Sequence, residues 1–235
     1  MAVFVLADLH LSLSSDKPMD VFNGRWQNYQ EKIDRRWRDI VKPCDTVIVP
    51  GDISWAMTLE EAIPDLKFLD ALPGKKIISK GNHEYWWSTA LKIRKAFEEN
   101  GITTIELLHN NALLAEDLAI CGTRGWFTES NAPRNSDYDK IVAREAARLR
   151  RSLEAAQCDF PNAQKLVFLH FPPALEDFVC PEIISVIKEF NVKRCFFGHI
   201  HGKYQIPRAY DFEGIEMRLI SSDFLDFYPY LIQKN

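Results

Sequence analysis

The segment Lys-Ile-Ile-Ser-Lys-Gly-Asn-His-Glu, residues 76–84, joins a short apolar run to several side chains that can bind a metal ion. The run from Lys76 to Ser79 is typical of a buried β-strand, and Gly81 permits an unusual backbone conformation just after it. In α/β sheets, ligands gather in the crevice beyond the carboxyl ends of the strands. The segment therefore predicts an α/β fold with a metal site at the strand ends.

Four more segments repeat this arrangement of a buried strand followed by metal-binding side chains. The predicted strands span residues 2–7, 46–49, 165–169 and 194–197. The polar segments that follow them are Asp8-Leu9-His10, Gly51-Asp52, His170-Phe171-Pro172-Pro173 and Gly198-His199-Ile200-His201-Gly202. Of the six histidines, all but His109 lie in the five segments, whereas purely structural histidines would be scattered. We expect the five strand ends to converge on one site.

The spacing within the segments also favours a shared site. Residues i and i+2 of an extended backbone point the same way. Asp8 and His10 are therefore expected to face one metal, and His199 and His201 to reach into one pocket. A glycine directly precedes three of the candidate ligands, where it allows a close approach of the backbone.

The remaining patterns predict alternating strands and helices, as in a layered α/β fold. Further strands are expected at 118–121, 217–220 and 228–232, and helices at 25–41, 58–72, 88–100, 139–157 and 181–190. Thr58 and Glu61 resemble a capping box, while Pro64 is expected to kink or delay that helix. Ser88 is expected to cap the third helix. No linker or repeat interrupts the alternation, so residues 1–235 are expected to form a single domain.

The mixture of ligand types indicates the kind of metal. Carboxylate, amide oxygen and neutral imidazole suit borderline divalent ions such as Mn, Fe or Zn, whereas Mg and Ca prefer sites richer in oxygen. The candidates are too numerous for one structural zinc and suit two adjacent open sites, which typically lie about 3.5–4 Å apart. The sequence therefore predicts two divalent metal ions as cofactors.

Bulk properties narrow the class of protein. The chain of 235 residues has a formal net charge of −4, so it lacks the basic excess of a general nucleic-acid binder, and nucleic acid is not the expected partner. No apolar stretch approaches the roughly 20 residues of a membrane span. The five cysteines form no C-x-x-C pair and indicate reduced thiols. We expect a cytoplasmic protein, and the oligomeric state is not predicted.

In order along the chain, the motifs Asp-Leu-His, Gly-Asp, Gly-Asn-His-Glu, His and Gly-His-Ile-His resemble those of the calcineurin-like metallophosphoesterase superfamily. The segment 170–173 is similar to the His-x-Pro-Pro turn of class III cyclic-nucleotide phosphodiesterases within it. The resemblance implies a four-layer α-β-β-α sandwich, in which helices flank two mixed β-sheets and a dinuclear metal site lies at the carboxyl ends of the strands. It also implies a phosphoesterase that cleaves a small phosphate mono- or diester by attack of a metal-bridging hydroxide.

The same resemblance implies roles for individual residues. The first metal would be bound by Asp8, His10, Asp52 and His201. The second would be bound by Asp52, Asn82, His170 and His199, so that Asp52 bridges the two ions. His83 is expected to stabilise the transition state or to protonate the leaving oxygen. Glu84 is expected to orient His83 or a neighbouring residue by a hydrogen bond.

Substrate contacts are predicted less directly. Trp55 and Trp86 follow metal motifs and either form an aromatic wall for the substrate or pack the loops against the core. In the polar segment 123–137, Arg124 and Arg134 either bind a phosphate or are solvated. A basic stripe on the next predicted helix is expected to be a solvated face, with binding of an anionic partner as the alternative. The stripe consists of Lys140, Arg144, Arg148 and Arg151.

Other functions stay open at this point. A nuclease or a lipid-precursor pyrophosphohydrolase of the same superfamily is an enzymatic alternative. The nucleases usually carry further DNA-binding segments, and the pyrophosphohydrolases usually have arginine where this chain has His83. A non-catalytic interaction module on this fold is the alternative from a different class, and metal analysis distinguishes it from the enzymes.

Overall fold

The computed structural model describes residues 1–22, 24–127 and 136–234. The strands, in chain order, are β1 (Ala2–Val5), β2 (Thr46–Pro50), β3 (Lys75–Ser79), β4 (Ile105–Leu107), β5 (Leu113–Ala115), β6 (Leu118–Thr123), β7 (Gln164–Leu169), β8 (Ala174–Leu175), β9 (Phe178–Val179), β10 (Arg194–Phe197), β11 (Tyr210–Phe212), β12 (Ile215–Leu219) and β13 (Tyr230–Lys234). The α-helices are α1 (Tyr29–Ile40), α2 (Leu59–Ala71), α3 (Ala90–Asn100), α4 (Ser136–Asp159) and α5 (Pro181–Glu189). Within the described ranges, no helix is long and apolar enough to cross a membrane.

Two mixed sheets form the centre of the molecule. The first has the order β13-β1-β2-β3-β4, in which only β13 is antiparallel to its neighbour. The second has the order β11-β12-β10-β7-β6-β5, in which the four central strands are parallel. Parallel strands have their carboxyl ends at one edge of a sheet. The loops after β1, β2 and β3 therefore lie side by side, as do those after β7 and β10.

Three apolar cores hold the layers together. One core lies between the first sheet and helices α1 to α3, one between the second sheet and helices α4 and α5, and one between the two sheets. In β1, Val3 and Val5 belong to the core between the sheets, while Phe4 belongs to the core beneath the helices. Burial on both faces explains why this strand is apolar at every position. The four-layer α-β-β-α sandwich is thus confirmed.

One helix and one strand begin later than predicted, because residues before them have a left-handed backbone conformation. Helix α1 begins at Tyr29 instead of residue 25, because Asn28 has φ 53° and its N–H donates to the Asp20 carboxylate at 2.6 Å. Strand β13 begins two residues later than expected, since the preceding Asp226 and Phe227 also have positive φ. A local turn thus determines where each element begins, although the apolar pattern extends beyond it.

The capping box of α2 is present, with Thr58 accepting from the N–H of Glu61 at 3.2 Å. Of the kink or delay expected at Pro64, the delay was wrong, because the helix begins at Leu59 and continues through Pro64 to Ala71. Proline in the second turn removes only one hydrogen bond of the helix. Helix α3 is capped by Thr89 instead of Ser88, since the Thr89 side chain accepts from the N–H of Lys92.

Candidate metal centre

The five polar segments meet at the carboxyl ends of the strands, where loops from both sheets face each other. Backbone N–H groups of one loop donate to side chains of another: His199 to the Asp8 carboxylate at 2.9 Å, and His83 to the Asp52 carboxylate at 2.9 Å. The ring Nε2 of His170 lies 2.6 Å from the Asn82 amide oxygen. Segments up to 191 residues apart in the chain are thus in direct contact.

Two groups of candidate metal-binding side chains lie at this junction. In each group, one ligand atom from every member lies within 4.8 Å of the others. The first group is Asp8, His10 and His201, and the second is Asp52, His170 and His199. Each group holds three of the four residues that the resemblance implies for one metal: Asp52 is absent from the first group, and Asn82, which contacts His170, is absent from the second.

Asp52 lies between the two groups. Its Oδ2 is 3.4 Å from Nε2 of His170 in its own group and 3.7 Å from Nε2 of His10 in the other. Within the first group, Nε2 of His10 is 3.2 Å from Nε2 of His201. A single carboxylate therefore contacts ligand atoms of both groups, which is the geometry that a bridging ligand requires.

The expectation that these ligands converge because their backbone is extended was wrong. Asp8, His10, Asp52 and His199 have φ values of 61°, 47°, 51° and 71°, in the left-handed region. Residues with a Cβ adopt this region at a cost of about 1–3 kcal/mol, and such residues cluster at functional sites. The side chains converge because each loop turns sharply after its strand.

Glycines allow the loops to come this close. A Cβ built on Gly198 would lie 2.5 Å from Oδ2 of Asp8. Gly51 has φ +93°, and a Cβ there would lie 2.7 Å from the Cα of Gly81. Any side chain at these positions would displace a candidate ligand or a neighbouring loop.

The Glu84 carboxylate joins the loops after β2 and β3. It is 1% exposed and accepts from the backbone N–H groups of Asp52 at 2.9 Å and of Ile53 and Gly81 at 2.5 Å each. Burial raises its pKa to about 7, although these hydrogen bonds oppose the shift. The structure thus places Glu84 against the backbone of Asp52, and not against the His83 side chain.

Asp223 was not anticipated from the sequence. Its buried carboxylate lies 2.7 Å from Nδ1 of His201 and accepts from the N–H of Gly202 at 3.0 Å. A carboxylate on one ring nitrogen directs the other towards a metal, and here Nε2 of His201 points to His10. The only sequence signal is an acidic residue shortly after β12, which alone does not identify its partner.

His83 lies outside both groups of the described chain. Its Nε2 is 3.9 Å from Oδ2 of Asp52, its side chain is 28% exposed, and its ring centroid is 4.1 Å from that of Trp55. Its buried Nδ1 has no hydrogen-bond partner among the described residues. The imidazole therefore lies beside the two groups, partly exposed and with one ring nitrogen unpaired among the described residues.

The predicted substrate contacts lie in different surroundings. Trp55 stacks on the ring of His10 at 4.9 Å, next to the site. Trp86 is 2% exposed and belongs to the core beneath the first sheet, so packing against the core is its role here and the substrate wall is not. Arg124 packs on the rings of Trp126 and Phe171. Arg134 lies outside the described residues.

Burial shifts the pKa values of the aspartate and histidine side chains in the site. Burial raises the pKa of Asp8 to about 6, although the nearby His201 opposes the shift. Burial also raises the pKa of Asp52 well above its usual value, and the negative charges of Glu84 and Asp8 add to this shift. It also lowers the pKa of His10 well below the ordinary value and that of His199 to about 4. These imidazoles are therefore neutral, which is the form that binds metals.

The residues present fit a pair of divalent cations. Oδ1 of Asp8 is buried and has no hydrogen-bond partner among the described residues, with Nδ1 of His170 lying 3.4 Å away. Unsatisfied buried polar atoms are costly, and two buried carboxylates require positive charge to remain ionised. Cations at the two groups would satisfy both requirements, and the mixture of carboxylate and imidazole suits borderline divalent ions.

Comparison with known proteins agrees with this geometry. Residues 1–203 match the family model described as calcineurin-like phosphoesterase. Among solved structures, the chain is similar to phosphopantetheinyl hydrolase (PptH) from Mycobacterium tuberculosis, with 14% identity, a TM-score of 0.59 and coverage of 100% of this chain and 96% of that one. It is also similar to the protein TT1561 of Thermus thermophilus, with 10% identity, a TM-score of 0.60 and coverage of 94% and 89%. No curated protein matched the sequence. At these identities the structural likeness shows a shared fold.

Proposed function

Because the chain belongs to the calcineurin-like phosphoesterase family, we propose that it hydrolyses small phosphate mono- or diesters with two bound divalent cations. The observation that carries this proposal is the pair of candidate ligand groups that Asp52 connects. A scaffold without metal chemistry has no need to bury two carboxylates among neutral imidazoles. We propose Mn, Fe or Zn as the native metals because of the donor types.

In this proposal each cation has four protein ligands and one of them is shared. The first set is Asp8, His10, Asp52 and His201, and the second is Asp52, Asn82, His170 and His199. Asp223 would hold His201 in the ligating tautomer through its 2.7 Å contact with Nδ1. Glu84 would hold the backbone of Asp52 in its left-handed conformation through its three backbone hydrogen bonds.

When bound, the cations supply Lewis acidity at the phosphoryl oxygens and lower the pKa of the attacking water. The chain itself contributes the positions of the surrounding donors. His83, which is partly exposed beside Asp52, would donate a hydrogen bond to a phosphoryl oxygen or a proton to the leaving oxygen. Trp55 would limit the access of water on the side of His10 and His83, since its ring packs against both.

The direct test is hydrolysis by the purified chain after chelation and addition of single metals. We expect tight binding of two metal ions per chain, and cleavage of aryl phosphate mono- or diesters only when Mn, Fe, Zn or Mg is restored. The ratio of diester to monoester cleavage identifies the class of ester. Stoichiometric metal without cleavage of any phosphate ester, or cleavage that is unaffected by chelation, would contradict the proposal.

The same assay distinguishes the alternatives. Preferential cleavage of a polynucleotide would identify a nuclease, and preferential cleavage of a pyrophosphate would identify a pyrophosphohydrolase. A chain that binds no metal and cleaves nothing would be an interaction module.

A further inference from the structure

A second polar cavity lies beside the candidate metal centre. It has a volume of about 240 Å³ and lies between the ends of β3 and β6 and the first half of α4. We call it the basic pocket, because its lining includes Lys80, Arg124, Arg144, Arg148 and the ring of His109. Two of the four residues on the predicted basic stripe of α4 thus line a cavity.

The basic pocket adjoins the metal centre through the chain itself. Lys80 directly precedes the Gly81-Asn82 segment. The Arg124 carbonyl accepts from the backbone N–H groups of His170 at 3.1 Å and of Phe171 at 2.9 Å. A ligand in the basic pocket would therefore lie next to the loops that carry candidate metal ligands from both sheets.

The lining has an excess of positive charge. Its one carboxylate among the described residues is the fully buried Glu145, which accepts from the hydroxyl of Thr123 at 2.6 Å and pairs with Arg148 at 2.6 Å. Arg124 lies farther from it, at 3.9 Å. Lys80 and Arg144 form no ion pair with any described residue. Glu145 therefore neutralises about one of the four cations.

The other nearby carboxylates do not remove this excess. Asp52 interacts electrostatically with Arg124, and Glu84 with Lys80, but both carboxylates face the metal centre. Lys80, Arg124, Arg144 and Arg148 thus line one cavity with a single carboxylate among its described residues. A bound anion would reverse this unfavourable crowding of cations.

Two buried donors without a partner among the described residues belong to residues that line the same cavity. Nε of Arg124 and the hydroxyl of Ser79 are buried without a hydrogen-bond partner among the described residues, and both residues line the basic pocket. Buried polar atoms normally have a partner, so these two require a ligand or water. The cavity volume is several times the roughly 30 Å³ that one water occupies, so a tetrahedral oxyanion fits.

We propose that the basic pocket binds a phosphate group through Lys80, Arg124 and Arg144. Guanidinium and ammonium groups with free donors form strong, charge-assisted hydrogen bonds to phosphate oxygens. The phosphate is either a second phosphate of the substrate or free inorganic phosphate. The first source rests on the proposed function, whereas the binding of phosphate itself does not.

Binding is tested with inorganic phosphate on the full chain, after chelation of metals and removal of the chelator by desalting. Isothermal titration calorimetry is expected to show one saturable site in the parent chain. Lys80→Gln and Arg144→Gln should each weaken this site about tenfold or more, because each removes a charge-assisted hydrogen bond. Arg151→Gln, which removes an exposed cation from the same helix, is the matched control and should bind phosphate like the parent.

Two outcomes would overturn the proposal. One is the absence of saturable phosphate binding in the chelated parent chain. The other is equal weakening in Arg144→Gln and Arg151→Gln, which would reveal only long-range attraction. Circular dichroism of each variant separates loss of binding from loss of folding. A chain that binds phosphate here but hydrolyses nothing would contradict the proposed function alone.

The source of the phosphate is determined by kinetics of the metal-loaded enzyme. A sugar bisphosphate is compared with the corresponding monophosphate in the parent chain and in Arg144→Gln. A fall in kcat/KM that is about tenfold larger for the bisphosphate would assign the pocket to the substrate. An equal effect on both substrates, together with loss of phosphate binding, would assign it to free phosphate.

Discussion

At the scale of single residues, Asp52 links the proposed catalytic chemistry to the fold. Its Oδ2 contacts ligand atoms of both candidate groups, its N–H donates to Glu84 at 2.9 Å, and its backbone is left-handed. A carboxylate held in this way adopts one orientation before any cation arrives. Preorganisation of this kind reduces the reorganisation that metal binding requires.

Asp52→Asn should abolish activity by weakening both proposed metal sites. The substitution keeps the size of the side chain but removes its charge, so each cation loses an ionic ligand. We expect a fall of more than about 100-fold in kcat, since even changes to groups that support ligands cost 10–100-fold. Metal content by mass spectrometry and hydrolysis of aryl phosphates measure the effect. Asp211→Asn, an exposed carboxylate on β11, is the control, and two tight metals with a normal rate in Asp52→Asn would rule out bridging.

His83→Asn should lower turnover much more than metal content. His83 lies outside both ligand groups and is partly exposed beside Asp52. Loss of a proton donor or of a hydrogen bond to the phosphoryl group typically costs about 10²–10⁴-fold in rate. The comparison of kcat with the number of bound metal ions measures this difference. If metal content collapses together with the rate, His83 is a ligand.

Site residues could be predicted from the sequence where a side chain that can bind a metal follows shortly after an apolar run. Every candidate ligand follows an apolar run, so its type and place in the sequence indicate its neighbourhood. Asp223 carries no such signal, because only the fold places it against His201. Trp86 follows a metal motif and lies in the core beneath the first sheet, which is one of the two alternatives that the sequence left open for it. Side-chain direction within a loop depends on dihedral angles that the sequence does not reveal.

At the scale of elements, the long strands and helices were predictable and the short ones were not. Runs of four to six residues with an apolar centre indicated β1, β2, β3, β7 and β10. Strands of two or three residues, such as β4, β5, β8 and β9, bury too few side chains to show a period. They pair because the neighbouring strand offers free hydrogen bonds. In the loops after the strands, glycines lie where an added Cβ would clash with a neighbouring loop, so glycine-to-alanine substitutions test whether this close packing is required.

Gly198→Ala should disrupt the loop after β10. The new Cβ would lie 2.5 Å from Oδ2 of Asp8 and 2.8 Å from the Cβ of Ala7, so the loop or the carboxylate must move. A displacement of about 1 Å commonly costs 10²-fold in catalysis, and we expect a loss of that size in kcat/KM together with weaker metal binding. Gly24→Ala is the matched control, since nothing lies within 4 Å of the added Cβ. Equal kinetics in both variants would show that the close approach does not matter.

At the scale of the whole molecule, the proposed metals join the two sheets. Asp8, Asp52 and Asn82 follow strands of the first sheet, whereas His170, His199 and His201 follow strands of the second. Each proposed cation would therefore have ligands from both halves of the sandwich. Metal binding would then contribute to the stability of the fold, because a preformed site does not exist in the unfolded chain.

Removal of metal should lower the melting temperature, and the size of the effect should depend on pH. At neutral pH and a thousandfold excess of free metal over Kd, each of the two proposed ions stabilises by about 4 kcal/mol, or roughly 8–16 °C for a chain of this size. The pKa of Asp8 in the metal-free chain is raised by burial from 3.8 to about 6. As pH falls through about 6, protons compete with metal for this carboxylate, while the metal-free fold gains stability because it binds the proton better than the unfolded chain does.

The difference in melting temperature between metal-loaded and metal-free protein should therefore shrink as pH falls through about 6, and the raised pKa values of Asp52 and His201 add further competing protons. Each competing proton changes the free energy by about 1.4 kcal/mol per pH unit, which corresponds to roughly 3–6 °C. His10 and His199 are neutral in both forms, since burial holds their pKa values low. Their protonation in the unfolded chain destabilises both forms equally and cancels in the difference. Differential scanning calorimetry from pH 5 to 8 measures it, and a difference that stays constant or widens towards pH 5 would exclude Asp8 as a ligand.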